Sequence, residues 1–156
     1  MALSGSELSQ SVDSIIKKAG FAFLSIAQDG KTPPFSYTVG ITETYGCPEL
    51  MIFGVGQNVA DAVFNGLATR IKNGERFNDG DVASQLLNMP VAIKAVSKEL
   101  AGPFALNVAS RYKGTKHVPN FQQIVYPDRS GKFPWEVGYD QGMRQIQFEL
   151  WTAENT

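Results

Sequence analysis

Three short apolar segments in the first third of the chain, separated by turn residues, constrain the fold most strongly. They are rich in aromatic and β-branched residues and cover residues 21–27, 35–41 and 49–55. Asp29-Gly30 separates the first two, and this dipeptide is a strong signal for a tight hairpin turn. Residues 44–48 contain a glycine and a proline and separate the second segment from the third. The sequence therefore predicts an antiparallel three-stranded meander over residues 21–55.

Apolar residues at helical spacing predict three helices. The first covers residues 6–19, where an apolar stripe begins at Leu8. The second covers residues 58–73, with Asn58 as its N-cap. The third lies within residues 102–114, because a Gly-Pro pair suits its entry and a glycine suits its end.

Two further strands are predicted beyond the second helix. Residues 91–96 form a short apolar run, and residues 145–151 alternate polar with apolar side chains. Hairpins interrupted by helices are typical of an α+β fold. We therefore expect a mainly antiparallel sheet with the 21–55 meander at its centre and about three helices packed on it. The length of 156 residues favours a single domain, residues 1–156.

Composition excludes several classes of function. Fourteen Lys and Arg residues stand against fifteen Asp and Glu, which argues against general nucleic-acid binding. A single cysteine excludes an internal disulfide, and a single histidine excludes a zinc site that needs two histidines from one chain. No apolar run approaches the roughly 18 residues of a membrane span, and the N-terminus is too polar for a signal peptide. The expectation is a soluble cytoplasmic protein without membrane contact.

Several separated motifs carry a resemblance to a known family. They are Tyr37-Thr-Val-Gly-Ile-Thr42, Gly46-Cys-Pro-Glu-Leu50, Phe53-Gly54, Asn65-Gly-Leu-Ala68, Tyr126-Pro-Asp128, Gly131 and Phe133-Pro-Trp-Glu-Val-Gly-Tyr139. In this order they resemble the bacterial and phage family known as domain of unknown function (DUF) 4262, over roughly residues 20–150. The resemblance implies a fold boundary but no reaction, and members of the family usually carry His where this chain has Cys47. A looser similarity in strand order, with Thr38, is to flavin-reductase-type split barrels.

The most concentrated charge lies in residues 111–117. Arg111, Lys116 and the single histidine, His117, surround Tyr112 and a flexible glycine there. Arginine can grip a phosphate or a carboxylate with two parallel hydrogen bonds, whereas lysine acts as a point charge. The segment is therefore a candidate anion contact, and the alternative is a solvated helix C-terminus whose cations complement the helix dipole.

Aromatic residues supply the second part of a candidate ligand site. Residues 133–139 contain Trp135 and Tyr139 between a proline and a glycine, so their rings either face a cleft or cap the core. A flat ring can stack there. Tyr37 and Thr38 point to opposite faces of one strand, and we include both as candidate ligand contacts.

No catalytic or metal-binding set is predicted. A Cys47–His117 pair would require two distant loops to meet, and nothing in the sequence indicates that they do. His117, Asp128 and Glu136 have suitable ligand types for a metal but no diagnostic spacing. Possible acid–base carboxylates are better explained by turns or solvated faces; they are Glu43, Glu49, Asp128 and Glu136.

Three functions remain open from the sequence. The first is a non-catalytic protein that sequesters a small anionic, ring-containing ligand, phosphorylated or nucleotide-like, such as a phage signal-nucleotide sponge; it needs no cofactor. The second is a flavin-binding oxidoreductase of split-barrel type, with FMN phosphate held by amides of Gly54-Val-Gly-Gln-Asn58. The third is a protein-interaction module, expected as a homodimer, that docks a partner through an edge strand over residues 145–151 or through the aromatic loop 133–139.

Overall fold

A six-stranded mixed sheet organises the computed structural model, which describes residues 5–151 and their side chains from Gln10 onward. The strands are β1 (Ala22–Ile26), β2 (Phe35–Val39), β3 (Glu49–Phe53), β4 (Val82–Ala83), β5 (Val91–Val96) and β6 (Phe121–Val125). The helices are α1 (Gly5–Ala19), α2 (Ile41–Tyr45), α3 (Gln57–Lys72), α4 (Lys98–Ala101) and α5 (Leu106–Tyr112), and a 3-10 helix covers Gln141–Gln145. The α+β class is confirmed.

The predicted meander is present, but it occupies one half of the sheet instead of its centre. The strand order is β1-β2-β3-β6-β5-β4, so β3 and β6 lie in the middle. Four of the five pairings are antiparallel, whereas β3 pairs with β6 in parallel, with Glu49 opposite Phe121. The chain reaches β6 only after it has crossed over through α3, β5 and α5. That return in the same direction makes the sheet mixed.

Both faces of the sheet are covered. On the first face, Tyr37 and Phe53 pack with α1 and with Val108 and Tyr112 of α5. On the second face, apolar residues of β3, β5 and β6 pack against α3, including Phe64. The apolar stripe predicted for the second helix is confirmed, because Val63, Phe64, Leu67 and Ile71 are all buried. Leu8 of the first predicted stripe lies outside the described side chains.

The described chain has five α-helices instead of about three. The α2 helix replaces the end of the predicted strand 35–41 and the turn that follows it, because Gly40 leaves the extended region with φ 108°. The α4 helix was not predicted, and it is capped by the Ser97 hydroxyl. The α3 helix begins at Gln57, one residue before the predicted cap Asn58, after Gly56 in an extended conformation.

The predicted strand over residues 145–151 is wrong. Gln147 binds Tyr126 through its side-chain amide, accepting from the Tyr126 N–H at 2.9 Å and donating to its carbonyl at 3.0 Å. Gln123 binds the backbone of Phe148 and Leu150 in the same manner. Side-chain amides therefore replace a strand ladder. Phe148 and Leu150 pack on the core, but Gln147 is completely buried and Ile146 is exposed, so burial does not follow the alternating pattern. This segment offers no edge strand to a partner.

The sheet is open, with β1 and β4 at its edges, so the barrel layout of the flavin-reductase similarity is not observed. Within residues 5–151, no helix has the length and apolar character needed to cross a membrane.

Asp128 organises the loop that follows β6. Its carboxylate accepts hydrogen bonds from the N–H groups of Ser130 and Lys132 at 2.9 Å, from the Ser130 hydroxyl at 2.8 Å and from the Asp140 N–H at 2.8 Å. These bonds, led by that of Lys132, lower the pKa of Asp128 to about 2. One buried carboxylate therefore fixes both ends of the aromatic loop 133–139.

The pKa of Asp128 predicts a specific acid sensitivity. Because the pKa is lowered from an unfolded value of about 3.9, its stabilisation is complete above about pH 4 and is lost as the pH falls towards about 2. We expect Asp128→Asn to be less stable than wild type at pH 7 and to lose less stability between those pH values. Urea denaturation across the pH range measures both. Asp29→Asn, at an exposed turn residue, should keep the wild-type slope; equal slopes for all three proteins would contradict the role of Asp128.

The two covered faces predict two independent core losses. Phe53 and Phe64 are completely buried on opposite faces, so replacing either with Ala should lower the free energy of unfolding by about 3–5 kcal/mol. Val137→Ala is the control, because Val137 is 95% exposed and its loss should change stability by less than about 0.5 kcal/mol. Denaturant titration measures each change. A loss below about 1 kcal/mol at one phenylalanine would contradict the packing of that face.

Candidate functional site

A cavity of about 420 Å³ lies on the first face, between α1, α2 and α5. The α5 helix and the loop after it supply most of its wall, and α1, β2 and α2 supply the rest. Its lining residues are Val12, Asp13, Val39, Glu43, Asn107, Ser110, Arg111, Tyr112, Thr115 and His117. Two carboxylates and one guanidinium therefore face a common space.

Glu49, directly behind this wall, is a completely buried acidic residue. Its carboxylate accepts five hydrogen bonds. The N–H groups of Gly40, Ile41 and Thr42 donate at 3.1–3.2 Å, the Thr38 hydroxyl donates at 2.8 Å and the Tyr112 hydroxyl donates at 3.0 Å; these donors come from β2, α2 and α5. Glu49 therefore joins three elements at one point and is not on a solvated face, which corrects the sequence-based interpretation.

The local sequence explains how so many donors reach Glu49. The β2–β3 ladder ends at Tyr37 opposite Met51. Beyond it the Thr38 hydroxyl accepts the Leu50 N–H at 2.8 Å, in place of a main-chain partner. The left-handed conformation of Gly40 then turns the N–H groups of the first turn of α2 towards β3. Thr38 and Gly40 thus open a gap between the strands that the Glu49 carboxylate fills.

Burial and hydrogen bonding act in opposite directions on these groups. Burial raises the pKa of Glu49, and the bonds from Thr42, Thr38, Tyr112 and Gly40 oppose that rise. Burial also raises the pKa of the Tyr112 hydroxyl, and the neighbouring Glu49 and Glu43 charges raise it further. Tyr112 therefore stays a protonated donor at neutral pH.

Arg111 lies in the wall of the cavity between two carboxylates. Glu43 accepts from Arg111 Nε and, at 3.3 Å, from Nη2, and Asp13 accepts from Nη1 at 2.5 Å. The Glu43 hydrogen bond, foremost among these contacts, raises the pKa of Arg111 above its ordinary range. The Asp13 side chain is 52% exposed and that of Glu43 is 27% exposed, so the two pairs differ in their access to water.

Three of the residues predicted for a ligand site line this cavity. They are Arg111, Tyr112 and His117, and the Tyr112 and His117 rings meet edge to face with centroids 5.6 Å apart. Tyr37 is buried, and its hydroxyl accepts a hydrogen bond at 3.1 Å from Asn107, which lines the wall. Thr38 does not line the cavity; its hydroxyl contacts Glu49, which lies behind the wall.

The structure does not bring the other predicted residues to this wall. Lys116 is exposed in the loop after α5 and does not line the cavity. Trp135 is 50% exposed; it stacks on Phe133 and meets the edge of Trp151. Tyr139 is buried under the guanidinium of Arg144, 5.0 Å from its ring centroid. A ligand role for these three residues stays a prediction.

Asp13, Glu43 and Glu49 are the important residues that the sequence analysis did not assign to the site. For Glu49 a signal existed, because the Gly46-Cys-Pro-Glu motif ends with this acid at the start of an otherwise apolar strand. For Asp13 there was none, since its meeting with Arg111 joins residues 98 positions apart.

The described residues hold no group of three or more His, Cys, Asp or Glu side chains arranged to bind a metal ion. Hence His117, Asp128 and Glu136 are not brought together. Cys47 is buried, its thiol donates to the Tyr45 carbonyl at 3.6 Å, and burial raises its pKa. A buried thiol of raised pKa is a poor nucleophile.

The segment Gly54–Asn58 was proposed from the sequence as a phosphate contact for a flavin. Its first four residues line a different cavity of about 370 Å³, and Asn58 does not. Among the described residues, none that lines that cavity carries a charged side chain. Flavin binding there stays a prediction, and an absorbance band near ~450 nm in the purified protein would support it.

The fold is thus an α+β sheet protein whose motif residues converge on Glu49 and on the loop held by Asp128. The chain matches the family described as domain of unknown function (DUF4262) over residues 15–140, and it belongs to that family. Comparisons with curated proteins and with solved structures give no match. Because the family description assigns no activity, the function has to be argued from the geometry of the site.

The Tyr112–Glu49 bond predicts a measurable stability loss. Tyr112→Phe removes one hydrogen-bond donor to a buried carboxylate without removing the ring, so the free energy of unfolding should fall by about 1.5–3 kcal/mol. Tyr45→Phe is the matched control, because Tyr45 is only partly buried and should change stability by less than about 0.5 kcal/mol. Denaturant titration compares them. Equal stability of Tyr112→Phe and wild type would contradict the bond.

Proposed function

We propose that this protein binds a small phosphorylated or nucleotide-like ligand and sequesters it without catalysing a reaction. The ligand would lie in the cavity between α1, α2 and α5, called here the Arg111 cavity. The single observation that carries the proposal is the guanidinium of Arg111, which lines a cavity of about 420 Å³ beside the rings of Tyr112 and His117. Small-molecule sites commonly have volumes of about 300–1,000 Å³, so the cavity suits a ligand of this class.

The two ion pairs of Arg111 give it a fixed side and an exchangeable side. Glu43 holds the guanidinium by two nitrogens and is largely shielded from water. Asp13 holds it by one nitrogen and is half exposed. Exposed ion pairs contribute only about 0–1 kcal/mol, so a ligand phosphate can replace Asp13 at little cost. Glu43 meanwhile keeps the guanidinium oriented, which reduces the ordering cost of binding.

The surrounding groups suit a ligand that carries polar atoms and a ring as well as a charge. Asn107, Ser110 and Thr115 place amide and hydroxyl groups in the wall. The Tyr112 and His117 rings offer an aromatic surface for a base. The cavity also carries one more carboxylate than cations, so a cationic ligand is the competing outcome that the experiment has to distinguish.

Calorimetric titration with cyclic dinucleotides, adenosine-diphosphate-ribose derivatives and FMN tests the proposal. We expect one of these anions to bind. Arg111→Ala should weaken it by roughly tenfold to a hundredfold, the value of a lost charge-assisted hydrogen bond. Asp13→Asn should strengthen it, because the competing carboxylate is gone. Lys113→Ala, which removes one positive charge from an exposed position of the same loop, should leave the affinity nearly unchanged.

The variants separate the class of ligand from the site. Spermidine, titrated in parallel, is the cationic probe. The ligand class is wrong if no anion of the panel binds, or if spermidine binds and Asp13→Asn weakens the binding of spermidine. If an anion binds and Arg111→Ala has wild-type affinity, the site is wrong. Trp135→Ala should retain wild-type affinity if the cavity alone holds the ligand, and should lose about 1–3 kcal/mol if the stacking predicted from the sequence occurs.

A further inference from the structure

We propose a second binding site, separate from the Arg111 cavity, for a small amphipathic anion: an apolar chain or ring that carries one carboxylate or phosphate group. The site is a cavity of about 740 Å³ between the β1–β2 turn and the segment 144–148. The Arg111 cavity shares none of its lining residues. The wall from residue 144 onward also lies outside residues 15–140, the part that matches the family.

Part of the lining of this cavity is apolar and accessible to a ligand. Pro33 and Pro34 of the turn lie on one side, and Ile146 and Phe148 lie on the other. Ile146 is 44% exposed, although it is a large aliphatic residue. An alkyl chain or a ring would remove this surface from water, which supplies the main affinity for an apolar group.

The wall is built on a close backbone contact. Gly54 has φ +80°, and a Cβ added there would lie 2.4 Å from Ile146 Cγ2 and 2.6 Å from the Ile146 carbonyl oxygen. Gly54 also donates its N–H to Pro34 at 2.7 Å. Since one glycine touches both sides, the turn and the 144–148 segment are held at a fixed separation.

Both charged residues that line this cavity are cations. Arg144 is immobilised: it donates to both Glu149 oxygens, to Gln141 at 2.7 Å and to the Pro134 carbonyl at 3.0 Å. These contacts engage all three guanidinium nitrogens, and Nη2, which has two N–H groups, donates to one acceptor among them. Lys31 is exposed, and its ammonium has no ion pair or hydrogen bond with residues of the described chain.

The charge balance favours a ligand with a single negative charge. Glu149 offsets the charge of Arg144, so Lys31 supplies the net positive charge and Arg144 supplies an oriented donor. Gln28 and Gln145 add amide groups, and none of the residues that line the cavity within the described part of the chain is acidic. The Arg111 cavity has the opposite composition, with two carboxylates and one guanidinium. The two cavities therefore differ in the ligand chemistry that they accept.

Three probes with the same apolar body test the site: octanoate, octanol and octylamine. We expect octanoate to bind roughly tenfold more tightly than octanol, and octylamine to bind more weakly than octanol, in calorimetry and in amide chemical shifts of residues 28–32 and 144–148. Octyl phosphate, tested in parallel, shows which of the two anionic groups the site prefers. Octanoate without measurable binding, or with affinity no better than that of octylamine, overturns the proposal.

Three variants assign the binding to this cavity. Lys31→Gln should weaken octanoate binding about threefold, because one exposed ion pair contributes about that much, and it should leave octanol binding unchanged. Ile146→Ser should weaken both probes. Lys113→Gln, the matched exposed control, and Arg111→Ala should leave octanoate affinity unchanged. The assignment is overturned if Lys31→Gln and Ile146→Ser both keep the wild-type octanoate affinity, or if Arg111→Ala loses it. These outcomes do not depend on whether a nucleotide-like ligand binds in the Arg111 cavity.

Discussion

Burying the carboxylate of Glu49 is the constraint on which the rest of the site depends. An acidic group removed from water is costly unless hydrogen bonds replace its hydration. Here three N–H groups and two hydroxyls do so. Each donor comes from an element that has to be positioned near Glu49. The first turn of α2 therefore lies beside the carboxylate, and α5 docks where the Tyr112 hydroxyl reaches it. The fold around the cavity is arranged to satisfy one acid.

From Glu49 a continuous series of polar contacts leads to the surface. The Tyr112 hydroxyl also lies 3.4 Å from Glu43, which binds Arg111, and Arg111 binds Asp13 on α1. The inner contacts of this series are buried and the outermost is half exposed. Accessibility to water therefore increases along it from Glu49 to Asp13. The proposed ligand, in replacing Asp13, would therefore meet a guanidinium whose orientation is already set by Glu43.

The sequence predicted the elements whose signals are local. The meander, the apolar face of α3 and the Asp29-Gly30 turn depend on residues close together in the chain, and all are present. The stripe of α1 is present only in part, because Val12 and Ile16 are buried whereas Ile15 is 45% exposed. It did not predict α2, since five residues give no helical periodicity, nor the parallel β3–β6 pairing, which depends on a long crossover. The alternation over residues 145–151 did not produce a strand, because the side-chain amides of Gln123 and Gln147 provide the hydrogen bonds there and Gln147 is buried. For the site, Arg111, Tyr112 and His117 were found from composition, whereas their carboxylate partners depend on how helices dock.

The parallel pairing of β3 with β6 also bears on how the chain folds as it is made. Glu49 and Phe121 are separated by 72 positions in the sequence, so this central pairing closes a long loop. Until residue 121 has been synthesised, a meander formed early presents β3 as an edge, with Leu50, Met51, Ile52 and Phe53 in sequence. Such an apolar edge invites pairing with other chains. Glu49 stands at its start, where a charge discourages that pairing until the strand acquires its proper neighbour.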